Sequence, residues 1–108
     1  MKYRLNTTSR FERDFRRFSP KLKGKIDSSI RRLEDEPYLG KPLRGELKGR
    51  RSLRIGRYRI IYIIDEDEKA IILLTVGRRG AVYKRSRQRL DLTWKGEENP
   101  QIMYFSPF

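Results

Sequence analysis

The sequence predicts an α+β domain in the order β-α-α-β-β-β. Two N-terminal helices pack on one face of a twisted, mostly antiparallel, four-stranded sheet, and a C-terminal extension comes after them. Three observations point to it. Phe11, Phe15 and Phe18, then Leu22, Ile26, Ile30 and Leu33, recur at helical spacing. From residue 51 to residue 76 the pattern changes to alternation and short apolar runs separated by compact turns. A length of 108 residues suits one domain with one modest core.

"KYRLN" opens the chain as a short strand, with Tyr3 and Leu5 on one face. Ser9 and Glu12 then form a capping box, serine covering the first amides and glutamate reaching back. The phenylalanine stripe carries a helix over residues 9–18, and its spacing marks it as core rather than a binding surface. Ser19-Pro20 restarts the chain as N-cap and first helical residue. That second helix runs to about Glu36 and stops before Pro37. Two helices joined so tightly pack as an antiparallel pair.

Residues 37–50, "PYLGKPLRGELKGR", read as loop or irregular edge. Strands are expected over about 51–55, 58–64 and 70–76, the last two joined by the acidic turn "DEDEK". "AIILLTV" is apolar on both faces and reads as an interior strand. The domain covers residues 1–90. Residues 91–108, "DLTWKGEENPQIMYFSPF", form an extension docked on the same domain or on a partner, with "IMYF" as a further strand or a covering arm.

Gly56-Arg57 divides two alternating runs and suits a two-residue type II′ hairpin with glycine first. That register sets Ile55 opposite Tyr58, Arg54 opposite Arg59 and Leu53 opposite Ile60. Leu53, Ile55, Tyr58 and Ile60 then share one side of the sheet, and the two arginines share the other. Like charges so opposed cost roughly 0.2–1 kcal/mol, which acidic neighbours or an anionic ligand would offset; the plainer alternative is a solvated outer face whose charges are screened by salt.

Lysine and arginine total 27 against 14 acidic residues, a formal charge of +13. Such a balance points to a polyanionic partner. There is no cysteine and no histidine. Disulfides, zinc sites of the usual kind, thiol nucleophiles and histidine acid–base catalysis are thereby excluded. No cofactor and no metal site are expected. No stretch has the character of a signal peptide or the length of a membrane span, so a cytoplasmic protein without a membrane partner is expected.

The positive charge is clustered. Eight basic residues lie between Lys41 and Arg59, with Glu46 as the one acidic residue among them. The second cluster begins at Arg78, where the interior strand ends. Arg54, Arg59 and Arg79, with Tyr83 nearby, are expected to surround one shallow site. Guanidinium groups grip phosphate by paired hydrogen bonds and tyrosine stacks on a base, a combination suited to single-stranded RNA. Arg44, Lys48, Arg50, Arg51, Arg57, Arg78, Lys84 and Arg85 are expected to contact the same strand.

"LRIGRYRIIYIID", followed after one strand by "VGRRGAVYK" and preceded by "KPLRGELKG", resembles the RelE/ParE superfamily of bacterial and archaeal toxins over residues 2 to about 88. The resemblance implies the toxin of a toxin–antitoxin system, a RelE-type mRNA interferase that cuts mRNA in the ribosomal A site. There the 2′-hydroxyl of the RNA attacks the adjacent phosphate. It also implies a cognate acidic antitoxin as partner. Arg59 matches the family's catalytic arginine, Arg79 the arginine after the third hairpin strand and Tyr83 the C-terminal tyrosine. Arg54 falls where a catalytic lysine often lies, and Ser52 where another lysine is common. The general base would be Tyr83, Lys84 or Glu46, or be supplied in part by the ribosome. The rival is a ParE-like or solitary homologue that binds a protein, such as DNA gyrase, or RNA, without nuclease activity. Gyrase-directed members generally lack the set Arg59, Arg79 and Tyr83.

Overall fold

The computed structural model describes residues 2–86 and 103–104, without the side chains of residues 85, 86, 103 and 104. Its elements are β1 (Arg4–Thr7), α1 (Ser9–Arg16), α2 (Pro20–Leu33), β2 (Lys41–Pro42), a 3-10 turn (Gly45–Leu47), β3 (Arg51–Ile55), β4 (Tyr58–Asp65), β5 (Ala70–Arg78), α3 (Arg79–Ser86) and β6 (Met103–Tyr104). The strands form one sheet in the order β2-β3-β4-β5-β1-β6. All pairs are antiparallel except β1 with β5.

The expected order of two helices and three meandering strands holds. Two-residue strands add to the expected sheet at each edge. β2 arises inside the stretch read as loop, and β6 pairs Met103 and Tyr104 with Thr7 and Asn6 of β1. The rest of the segment 91–108 lies outside the described residues. β5 is interior, between β4 and β1.

The α1 cap differs from expectation by one residue. Thr8, not Ser9, is the N-cap; its hydroxyl oxygen accepts from the Phe11 amide at 3.2 Å. Glu12 takes a hydrogen bond from the Thr7 hydroxyl at 2.9 Å instead of closing a box with Ser9. Thr8 wins because its hydroxyl also lies 3.0–3.1 Å from the carbonyls of Leu73 and Leu74, so one side chain ties helix to sheet. Ser19 caps α2 by accepting from the Leu22 amide at 3.3 Å, and Pro20 opens that helix, as expected. Both helices end two to three residues before the bounds expected of them.

Two cores result. Phe11, Phe15, Ile26, Ile30 and Leu33 are buried against Leu53, Ile60, Tyr62, Ile71 and Leu73, with Phe18 and Leu22 packed at the margin. On the opposite face Ile61, Ala70, Ile72 and Leu74 are buried under Val82 of α3. That third helix was not legible in the sequence. It explains why "AIILLTV" is apolar on both faces: each face has its own helical cover.

A candidate nucleic-acid face at the hairpin and the third helix

The β3–β4 turn has the expected form. Gly56 has φ +59, and Arg57 does not share a positive φ, which is the type II′ arrangement. The register is Leu53↔Ile60, Arg54↔Arg59 and Ile55↔Tyr58. Arg59 also pairs with Gly77 of β5. The row Arg54–Arg59–Gly77 therefore crosses three strands on the face that carries α3. Arg54 is exposed, and its Nε donates to the Gly56 carbonyl at 3.2 Å, which draws it along the turn. Arg59 is half-buried.

β5 ends at Arg78 and α3 starts at Arg79, with no loop between. Val82 is fully buried on the sheet, and its neighbour Tyr83 packs on the same cluster. The Tyr83 hydroxyl reaches β3, where it donates to Ser52 Oγ at 3.3 Å. The Arg79 guanidinium lies 6.0 Å from the Tyr83 ring centroid, one helical turn away. Arg54, Arg59, Arg79 and Tyr83 are thus carried by the elements that build one face, away from α1 and α2. Ser52 joins them.

A family model described as "ParE toxin of type II toxin-antitoxin system, parDE" matches residues 5–83, from β1 to the tyrosine on α3. The chain belongs to this family. The toxin is 36% identical over 87 residues to Toxin RelG of Mycobacterium tuberculosis, covering 79% of this chain and all of that one. It is 33% identical over 84 residues to Toxin RelE of the same organism, covering 76% and 87% of the two chains. Among solved structures, a chain of the toxin–antitoxin complex RelBE2 from Mycobacterium tuberculosis superposes with TM-score 0.69 at 33% identity, over 73% of this chain and 93% of that one. A mutant of E. coli toxin RelE in the free state shares the fold, with TM-score 0.68 at 18% identity over 81% and 94% of the chains.

The remaining basic residues divide. Arg57 stands exposed at the hairpin tip and Lys84 exposed on α3. Arg44 and Lys48 are exposed on either side of the 3-10 turn, beside exposed Glu46, and Arg50 is half-buried. Arg85 is in α3, but its side chain lies outside the described residues. Two of the expected RNA contacts are drawn elsewhere. Arg51 has the parity of Leu53 and Ile55 and turns to the α2 side of the sheet. Its guanidinium donates to the Gly40 carbonyl at 2.6 and 3.1 Å and to the Tyr38 carbonyl at 3.2 Å, and stacks 5.0 Å from the Tyr38 ring centroid. Arg78 pairs with Tyr58 and places its guanidinium 5.9 Å from that ring's centroid, against the Phe18–Tyr58 aromatic pair.

The opposite pole of the toxin is acidic. On the β4–β5 turn Glu66 receives hydrogen bonds from Tyr3 at 2.6 Å, from Tyr38, and from Lys69 at 3.0 Å. The Tyr3 bond, then those from Tyr38 and Lys69, lower its carboxyl to about 2. The same bonds raise both phenols. Among the described residues no three His, Cys, Asp or Glu side chains gather as a metal site, and no helix is long and apolar enough to cross a membrane.

Proposed function

We propose that this toxin is a ribosome-dependent endoribonuclease acting on mRNA through the face of Arg54, Arg59, Arg79 and Tyr83. One observation carries the reading: Tyr83, hydrogen-bonded to Ser52 and flanked by Arg79, is set by α3 on the same sheet face as the Arg54–Arg59 pair. In the reaction the 2′-oxygen of a nucleotide forms a bond to the adjacent phosphorus while the bond to the 5′-oxygen breaks. The 2′-hydroxyl proton passes to a base and the 5′-oxygen takes up a proton. Products carry a 2′,3′-cyclic phosphate and a 5′-hydroxyl.

Arginines suit the middle of this reaction, where charge builds on the phosphorane oxygens. They serve poorly as bases, since guanidinium holds its proton. Tyr83 is the proton-handling group of this face, with Lys84 beside it on α3. Arg57 and Lys84 guide the strand by its phosphates.

Cleavage on programmed ribosomes, read with end-group analysis, tests this. Wild-type toxin cuts and leaves cyclic phosphate ends, whereas Arg59→Ala or Arg79→Ala lowers the rate roughly 100- to 1,000-fold. A folded wild-type protein that cuts nothing, or an Arg59/Arg79 double variant that cuts undiminished, defeats the reading. The match to the ParE model favours the rival, a toxin that binds a protein such as DNA gyrase, in that event. The formal charge of +13 and the complexes formed by the RelBE2 toxin support an acidic antitoxin as partner. Its capture as a small acidic protein from the native host checks this.

A further inference from the structure

Asp14 belongs to α1, yet its carboxylate serves the strand that leads into α3. The residue is 3% exposed. One oxygen, Oδ2, accepts from the Thr75 hydroxyl at 2.7 Å and from the Val76 amide at 3.3 Å. The other, Oδ1, lies 3.9 Å from Arg10. A buried carboxylate persists when donors meet it, as the Thr75 hydroxyl and the Val76 amide do here.

These bonds fall at a critical step of the strand. β1 accompanies β5 only as far as the pair Thr7↔Leu73. The β4–β5 ladder then shifts register between Ile61↔Thr75 and Tyr62↔Leu73, so that Leu74 is the extra residue of a bulge. Bulges bend a strand and re-aim the residues beyond them. Thr75 and Val76 come immediately after, and Arg79 opens α3 three residues on, without a loop. β5 stays paired with β4 through Val76, Gly77 and Arg78, so its course beyond the bulge sets where α3 starts. α1 does not fix that helix by close packing at this end: a groove of about 280 Å³ opens there, lined by Asp14, Arg17, Phe18, Tyr58, Arg78 and Ala81 among others.

We propose that Asp14 is a positioning residue: by clamping the Thr75–Val76 step beyond the bulge, it aims α3 and so sets Arg79 and Tyr83 on the sheet face that carries Arg59. The catalytic part of this statement rests on the nuclease reading of that face. The geometric part stands apart from it.

Asp14→Ala, Asp14→Asn and Thr75→Val test it, through cleavage kinetics on programmed ribosomes and amide chemical shifts of the free toxin. In Asp14→Ala, kcat falls roughly 100-fold, the scale of a misplaced reacting group, while KM stays within about twofold. Amide shifts move from Thr75 through Lys84, and those of α2 stay. Asp14→Asn keeps an accepting oxygen and recovers most of the rate. Thr75→Val removes one donor, falls between the two, and decides the matter should Asp14→Ala not fold. Unchanged kcat in folded Asp14→Ala or Thr75→Val, or shift changes that stop at Val76, overturns the proposal. If the wild-type toxin cleaves nothing, the nuclease reading fails, and the shift map alone still judges whether Asp14 aims α3.

Discussion

The Tyr83 hydroxyl donates a hydrogen bond to Ser52 Oγ at 3.3 Å, joining α3 to β3 across the width of β4. The donor's proton is thereby directed at the serine, which leaves the lone pairs of the phenol oxygen outside that bond. A tyrosine that only stacks on a base tolerates loss of its hydroxyl. One that handles a proton does not. Tyr83→Phe is expected to lower cleavage of ribosome-bound mRNA by roughly 100- to 10,000-fold, the range of a lost acid–base group. Ser52→Ala, which frees the ring without removing its hydroxyl, costs less. Single-turnover rates of the two variants check the order.

Gly40 is packed without room for a side chain. A Cβ there would meet the Tyr62 hydroxyl at 2.7 Å and the Ser52 carbonyl oxygen at 2.8 Å. The Tyr62 hydroxyl also accepts from the Gly40 amide at 2.9 Å and donates to the Pro37 carbonyl at 2.8 Å. Gly40→Ala should therefore destabilise the toxin by about 1–3 kcal/mol through overpacking. Tyr62→Phe should cost about 1–3 kcal/mol through stranded buried partners. The two losses are not additive, because they share a bond. Urea unfolding of both single variants and the double variant reads this.

The cluster on Glu66 gives stability a dependence on pH at both ends. Its carboxyl is lowered from 4.5 to about 2 in the folded chain. The contribution is present in full above the unfolded value and disappears as pH falls from about 4.5 through 2. Tyr3 and Tyr38 are raised, so their contribution is present below pH 10 and is lost as pH rises beyond it. Melting temperature should fall along both limbs. Glu66→Gln should flatten the acid limb, as seen by comparing its melting with wild type at pH 7 and pH 2.5.

Deleting residues 93–108 removes β6, the strand that pairs with the outer edge of β1 at Asn6 and Thr7. An uncovered edge invites intermolecular pairing. The truncated toxin should melt at a lower temperature and gain mass by light scattering as concentration rises. An unchanged melting point and solution mass would show that the extension adds nothing to the fold.

The hairpin was legible because two local rules agreed: a glycine-first turn and a period of two. Together they fix the Arg54–Arg59 pair without help from any tertiary contact. α2 was legible from Ser19-Pro20 and four spaced apolar residues. The α1 cap was not, because Thr7, Thr8 and Ser9 all offer a hydroxyl, and the carbonyls of Leu73 and Leu74 decide among them. α3 escaped because its large apolar residues, Val82 and Tyr83, are adjacent rather than one turn apart, and Gly80 lowers its intrinsic helicity. The unbroken apolar character of "AIILLTV" was the available clue that something covers the second face. Parity with Leu53 and Ile55 already placed Arg51 on the core side. The same alternation placed Ser52 with Arg54, which would have brought that serine into the site.

The parallel pairing of β1 with β5 has a consequence for how the chain is born. Residues 4–7 are synthesised well before their partners, residues 70–73. The hairpin of β3 and β4 can close as soon as it is made, since its contacts are local. β1 must wait until β5 has emerged, and α3, which completes the arginine face, emerges only after that. A nascent chain thus carries both helices and a hairpin well before it carries a finished surface. Assembly of that surface waits for β5 and α3, so a chain that has exposed only its helices and hairpin does not yet present the arginine face.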